Sequence, residues 1–203
     1  MTRGRFITLE GMDGAGKSTH VEDIAARLRA PGRTVLVTRE PGGTPLSERL
    51  RALVLEEPMD PIAETMLLFA ARADHVRREI QPALARGDWV LCDRFTDATF
   101  AYQGGGKGVA AELIAHLAQV SHGGLMPDLT LVFDCSYDVA RGRLDQAGRA
   151  PDRFEREGRD FFERVRQAYL GLARSDPERI RVIDAAGSMD EVKTKIKEEI
   201  AVL

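Results

Sequence analysis

The sequence predicts an α/β fold, a five-stranded parallel sheet flanked by helices, and three observations predict it. Short apolar runs rich in β-branched residues recur along the chain, and segments with apolar residues at three- and four-residue steps stand between them. A glycine-rich turn, Gly11-Met12-Asp13-Gly14-Ala15-Gly16-Lys17-Ser18-Thr19, joins the first run to the first helical segment. Strands and helices alternating in this way are met most simply by a parallel sheet with helices on its faces. A chain of 203 residues suits one domain, 1–203, with a substantial core.

The first strand is read from Phe6, Ile7 and Leu9, and the helix after the turn from Val21, Ile24, Ala25 and Leu28. Between them, residues 11–18 fit G-x-x-x-x-G-K-[ST], a phosphate loop in its required strand-to-helix setting. Glycines let backbone N–H groups surround a polyphosphate where a Cβ would block the approach. Lys17 is placed to reach the β- and γ-phosphates, and Ser18 offers its hydroxyl to Mg²⁺. The helix dipole favours the anion.

A turn at Ala30-Pro31-Gly32 precedes the second strand, Thr34 to Thr38, which ends in Arg39-Glu40-Pro41-Gly42-Gly43-Thr44. Ligands of open parallel sheets bind beyond the carboxyl ends of the strands, so Arg39 is read as an anion ligand. Ile62, Met66, Phe69, Ala73, Val76 and Ile80 mark a long helical segment. Within it Phe69 and Arg72 are three apart and share a face, suited to a flat, carbonyl-bearing base, although packing alone accounts for Phe69. The third strand, Trp89 to Cys92, runs into Asp93-Arg94-Phe95. Asp93 is the candidate to orient a metal, directly or through water. Arg94 is either a two-donor phosphate ligand or an ordinary ion-pair partner.

Tyr102-Gln103-Gly104-Gly105-Gly106-Lys107-Gly108 supplies an aromatic hydroxyl and an amide, then glycines that flexibility alone would explain. A helix near 110–120 leads to the fourth strand, Leu129 to Asp134, and Val139 to Leu144 reads as helical. Gln146 to Arg153, with Arg149, reads as a polar, mobile loop inside a lid of about 141–155; such charge is usually solvated, but in a phosphoryl-transfer enzyme arginines on a closing lid neutralise the transferring group and exclude water. Phe161, Phe162, Val165, Tyr169 and Leu172 mark another helix; Arg179 to Ile183 form the fifth strand, and Val192, Ile196 and Ile200 the last helix.

Composition narrows the functional classes. The hydrophobic share of 43% and charged share of 30% are those of a globular protein, and the net charge of −3 gives no reason to expect nucleic-acid or membrane binding. No apolar run approaches a bilayer span, and a cleaved leader would destroy the phosphate loop, so a cytoplasmic protein is expected. Cys92 and Cys135 fall in or beside strands and read as buried thiols; His20, His75, His116 and His122 are scattered and read as solvated or structural.

Together, the phosphate loop, Arg39-Glu40-Pro41-Gly42-Gly43-Thr44, Asp93-Arg94 with Ala101-Tyr102-Gln103-Gly104, and Asp152-Arg153-Phe154-Glu155 strongly resemble bacterial thymidylate kinases over nearly the whole chain. The resemblance implies a P-loop NTPase fold and transfer of the ATP γ-phosphoryl group to dTMP, giving dTDP, with Mg²⁺. It implies that Gly11, Met12, Asp13, Gly14, Ala15, Gly16, Lys17, Ser18, Thr19 and the turn at Ala186 bind ATP. Asp13 would contact the acceptor sugar or metal-bound water, and Arg39 and Arg94 the acceptor phosphate. Phe69 would stack on thymine, Arg72 would bond its carbonyl, Thr99 and Gln103 would contact the base, and Tyr102 would wall off a ribose 2′-hydroxyl. Lys17, Arg94, Arg149 and Arg153 are the implied catalytic cations, Ser18 and Asp93 the metal residues, and a homodimer the implied assembly.

The sequence departs from the family in two places. Gly14 stands where some members carry an arginine in the loop, which moves the catalytic charge to the lid; Phe95 stands where many carry tyrosine. Two competing readings are a phosphate-loop kinase with another acceptor and a nucleotide-switched regulatory module. Arg39 and Arg94 favour a monophosphate acceptor over an uncharged nucleoside, and with the basic lid they favour a kinase over the regulatory module; which monophosphate is accepted is left to substrate choice.

Overall fold

The computed structural model describes residues 3–30, 32–146, 148 and 150–203; Met1, Thr2, Pro31, Ala147 and Arg149 lie outside them. The five strands are β1 (Phe6–Gly11), β2 (Val35–Arg39), β3 (Trp89–Asp93), β4 (Leu129–Asp134) and β5 (Ile180–Asp184). They form one parallel sheet in the order β2-β3-β1-β4-β5. Parallel neighbours need crossovers, and the helices that make them cover both faces. Alternate side chains of β1 and β3 therefore enter different cores. Ile7, Leu9 and Leu91 join the larger cluster, whereas Phe6, Val90 and Cys92 pack with Val76, Ile80, Leu84 and Phe95 on the other face.

Around the sheet lie α1 (Lys17–Arg29), α2 (Pro45–Glu56), α3 (Pro61–His75), α4 (Gln81–Arg86), α5 (Thr96–Thr99), α6 (Ala111–His122), α7 (Tyr137–Gln146), α8 (Arg159–Ser175) and α9 (Met189–Ile200). Helix α2 is absent from the sequence-based expectation. Its start carries a local signal: Thr44 caps the helix by accepting from Ser47 N at 3.1 Å, and Pro45 occupies the first turn. The long segment expected from Ile62 to Ile80 is helical throughout but changes pitch, passing from α3 into a π-helical stretch, Val76–Ile80, and on into α4.

A second π-helical stretch, Phe100–Gly106, corrects the reading of its glycines as flexible. A Cβ at Gly105 would lie 2.6 Å from the Ala168 Cβ, and one at Gly106 would lie 2.4 Å from the Phe161 ring. These glycines let the segment press against α8, which fixes Tyr102 and Gln103 just before them.

All five strands end on one rim, at Gly11, Arg39, Asp93, Asp134 and Asp184. In register, Arg39 stands opposite Asp93, Leu9 opposite Asp93 and Gly11 opposite Phe133. Helix α1 starts at the same rim. Its N-cap, Gly16, has φ 97° and provides no capping side chain; Thr19 N bonds Gly16 O at 3.2 Å, and the Lys17 and Ser18 amides stay open to a ligand.

Candidate active site

Two joined chambers occupy this rim. Gly14, Gly16, Lys17, Ser18 and Thr19 line one of them, facing Arg39, Asp93, Arg143 and Asp152. The other is more apolar: Pro41, Val54, Leu55, Leu68, Phe95, Ala98 and Phe154 form walls around Arg72, Thr99, Tyr102 and Gln103. Asp13, Glu40, Arg51, Arg94 and Asp152 line both and so mark the boundary.

Arg94 dominates that boundary. It is the one non-glycine residue at positive φ, 71°, among the described residues, a left-handed conformation that L-residues adopt at a cost. The turn at the end of β3 sends its side chain back across β1. Its Nη1 donates to Gly11 O at 3.0 Å and to the Tyr169 hydroxyl at 3.1 Å; its Nη2 donates to Asp13 Oδ1 at 2.6 Å and the Tyr102 hydroxyl at 3.0 Å. Tyr102 in turn donates to Asp13 Oδ2 at 2.8 Å. Burial disfavours charge on Asp13, but Arg94 and Lys17 outweigh it and hold its pKa at about 2.

Lys17 folds back over the loop, donating to Gly11 O at 3.0 Å and Met12 O at 3.1 Å. Burial and the nearby Arg94 charge lower its pKa, with Asp93 and Asp13 opposing. Beneath them Glu10 is fully buried and accepts from Phe95 N at 2.7 Å and from the Tyr169 hydroxyl at 2.8 Å. Burial, then Asp97, pushes its pKa up to about 8 against the pull of Arg94. Through Tyr169 it braces Arg94 from below.

Behind the apolar chamber, Arg72 is buried. Its Nε donates to Glu40 Oε2 at 2.6 Å, its Nη1 to the Thr99 hydroxyl at 3.2 Å and its Nη2 to Phe95 O at 3.1 Å. Glu40 also bonds His75 Nδ1 at 3.0 Å, and His75 Nε2 lies 2.8 Å from the Thr38 hydroxyl. Along the rim, then, Arg72 pairs with Glu40 and Arg94 with Asp13.

Most of the residues singled out in the sequence meet here. Asp13, Arg72, Arg94, Thr99, Tyr102 and Gln103 line the apolar chamber; Gly14, Gly16, Lys17, Ser18, Thr19, Arg39 and Asp93 line the phosphate-loop chamber. Gly11 stands behind Lys17, and the side chains of Met12 and Ala15 turn into the core, leaving their backbone to the site. Ala186 lies beyond β5, next to Ala185, whose carbonyl receives Arg143 Nη2 at 2.8 Å. Gly14 has a steric reason for lacking a side chain: φ is 80°, and a Cβ would come 2.3 Å from Ala140 O.

Two expectations are corrected, and one falls outside the described residues. Phe69 does not line the apolar chamber. Its ring packs with Val109, Ile114 and Ala118, behind the Arg72 guanidinium 4.7 Å away, and Leu68 takes the wall because it is the residue one helical turn before Arg72. Arg153 is not delivered to the phosphate-loop chamber. Its guanidinium bonds Val54 O and Glu64, because the fully buried Glu64 carboxylate demands cations. Arg149, the other lid arginine, lies outside the described residues.

Arg143 and Arg51 were not anticipated, yet both face the phosphate loop. Arg143 Nη1 reaches Ala15 O at 3.3 Å from α7, and Arg51 Nη1 donates to Pro41 O at 2.9 Å from α2. Arg51 was hidden because its helix was. Glu10 and Tyr169 were hidden too, though a carboxylate inside an otherwise apolar strand was a readable signal.

A phosphate-binding loop at the mouth of a parallel sheet, facing a second chamber across shared cations, defines a phosphate-loop kinase. Such a site brings two anionic substrates together. The chain belongs to the thymidylate kinase family: the family model described as Thymidylate kinase matches residues 9–196. It is 57% identical to the thymidylate kinase of Bordetella petrii over 201 residues, 99% of this chain and 97% of that one. It is also 57% identical to that of Cupriavidus metallidurans over 201 residues, 99% of this chain and all of the other. The crystal structure of thymidylate kinase from Ehrlichia chaffeensis superposes with a TM-score of 0.80 at 32% identity, covering 98% of this chain and 99% of that one.

Proposed function

We propose that ATP occupies the phosphate-loop chamber and dTMP the apolar one, and that the protein transfers the γ-phosphoryl group of ATP to dTMP, giving dTDP for dTTP biosynthesis. The observation that carries this reading is Arg94, which lines both chambers and is tied to the phosphate loop through Gly11 and Asp13.

Phosphoryl transfer asks little covalent chemistry of a protein; it asks for in-line placement and for positive charge around the transferring oxygens. The loop amides and Lys17 hold the donor's phosphates, with the Ala186 turn near the adenine. Arg94, Arg39 and Arg51 hold the acceptor phosphate, and Arg94 stays with the group as it moves. Arg72, Thr99 and Gln103 face the base, while Leu68 and Phe95 enclose it. Tyr102, fixed by Asp13 and Arg94, closes the chamber where a 2′-hydroxyl would sit. Arg143 supplies lid-side charge, as does Arg149.

The residues present fit Mg²⁺. Asp93 Oδ1 is buried and has no hydrogen-bond partner among the described residues, and Asp93 shares a chamber with Ser18 and Lys17. Ser18 and Asp93 would hold the ion, which when bound neutralises charge on the β- and γ-phosphate oxygens.

The protein acts in the cytoplasm as a homodimer in this reading. Among the described residues no helix is long and apolar enough to cross a membrane. Leu46 and Leu53 of α2 and Ile62 and Met66 of α3 are exposed on adjacent helices, apolar surface that a second copy would cover. Offering dTMP and thymidine separately with ATP and Mg²⁺ tests the acceptor site. Phosphorylation of dTMP with none of thymidine is expected; comparable rates would remove the acceptor-phosphate role of Arg39 and Arg94.

A further inference from the structure

We infer that Glu64 is a positioning residue that selects the base: it fixes the Gln103 amide so that the carbonyl oxygen, and not the nitrogen, faces the acceptor chamber. This rests on the proposed placement of the dTMP base in that chamber. Glu64 sits on α3, wholly buried, and does not itself line the chamber; among the described residues, the side-chain partner of its carboxylate that does is Gln103. Its Oε1 accepts from Gln103 Nε2 at 2.8 Å; its Oε2 accepts from Lys107 Nζ at 2.8 Å and from Arg153.

The orientation follows from donor and acceptor inventory. A carboxylate paired with two cations offers only acceptors, so the Gln103 group that meets it must be the NH₂. The oxygen of that amide then points elsewhere. Gln103 lines the chamber, and no group among the described residues donates to its Oε1. The chamber thus presents an acceptor to the base edge. A pyrimidine with an imide N–H satisfies it, whereas cytosine, whose ring nitrogen at that position is itself an acceptor, leaves two lone pairs facing each other in a site shielded from water. Lys107 and Arg153 keep the arrangement in place by neutralising Glu64, and each also lies against the Phe154 ring, at 4.6 and 4.7 Å.

The test is Glu64→Gln. The oxygen of the new amide must face Lys107 and Arg153, which only donate, so its nitrogen faces Gln103 and donates to the Gln103 oxygen. The Gln103 amide then turns over and shows its NH₂ to the base. Expected is a fall of about tenfold in kcat/KM for dTMP, mainly through KM, with an unchanged KM for ATP and a drop of about tenfold or more in the dTMP-to-dCMP ratio of kcat/KM. An equal fall for dTMP and dCMP, or an unchanged ratio, would overturn the inference.

Gln103→Ala separates this from failure of the underlying reading. If it leaves the dTMP KM unchanged, the base does not occupy the chamber; if it raises that KM while Glu64→Gln leaves the ratio alone, only the role of Glu64 fails. Should Glu64→Gln not fold, the side-chain amide signal of Gln103 in the parent protein, assigned by its loss in Gln103→Ala, decides. Its protons should exchange slowly before dTMP is added and remain so afterwards, and exchange at the rate of a free amide would contradict the bond to Glu64.

Discussion

Replacing Arg94 by methionine removes the charge shared by both chambers while keeping much of the side chain's length. The guanidinium supplies four hydrogen bonds, to Gly11 O, Asp13 and the Tyr102 and Tyr169 hydroxyls, and only 16% of the side chain is exposed. Removing one preorganised donor from a developing charge costs about 10²- to 10³-fold in kcat. An arginine on a transferring phosphoryl group is worth about 10³- to 10⁵-fold. Arg94→Met is therefore expected to lose about 10³-fold in kcat or more, about 4 kcal/mol of transition-state stabilisation. Arg94→Lys should recover little, because one ammonium cannot span a loop carbonyl, a carboxylate and two hydroxyls.

Folding should survive better than activity. Asp13 loses one partner, but Lys17 still favours its charge and a quarter of its side chain is solvent-exposed, which eases the cost of leaving it without the guanidinium. ADP release measured with dTMP and ATP, beside urea unfolding of both variants, is the assay. A kcat for folded Arg94→Met within about tenfold of the parent would refute the placement of Arg94 on the transferring group.

Three further outcomes follow from the same contacts. Glu40→Ala strands the buried Arg72 and should lower stability in urea by about 3 to 5 kcal/mol, with Glu40→Gln losing less; a loss under 1 kcal/mol would show that Arg72 finds another partner. Glu10 has a pKa raised from 4.5 to about 8, so its contribution is fully present below the unfolded value and is lost as pH rises through about 8. Glu10→Gln should therefore flatten the fall in stability over that range, and an unchanged slope would assign the fall to another group. Leu68→Ala should raise the dTMP KM, whereas Phe69→Leu should lower the unfolding midpoint with little effect on that KM; the reverse pattern would return the base-facing wall to Phe69.

What could be read from the sequence was what is local. The phosphate loop is contiguous, and strand ends at Arg39 and Asp93 announce themselves because a charge interrupts an apolar run. Sheet and crossover helices followed from periodicity, since a buried parallel strand has no polar face to blur it. The rest depended on which residues the fold brings together. Phe69 and Leu68 are adjacent in sequence, yet α3 turns one to the chamber and the other to α6, about 100° of helical rotation that composition does not resolve. Arg153 looked like a catalytic arginine because its buried partner, Glu64, lies 89 residues away. Helix α2 escaped because Leu46 and Leu53 remain exposed, so its apolar positions do not follow a single core stripe; the Thr44-Pro45 start was the more reliable sign.

The central claim is transfer from ATP to dTMP, and product formation tests it most directly. ATP and Mg²⁺ are supplied with each ribo- and deoxynucleoside monophosphate in turn, alongside a control without acceptor, and the diphosphates are separated and quantified. dTDP is expected as the preferred product, with negligible ADP in the absence of acceptor. Preferential transfer to another monophosphate would contradict the base assignment, and ATP hydrolysis with no transfer to any acceptor would contradict the kinase reading itself.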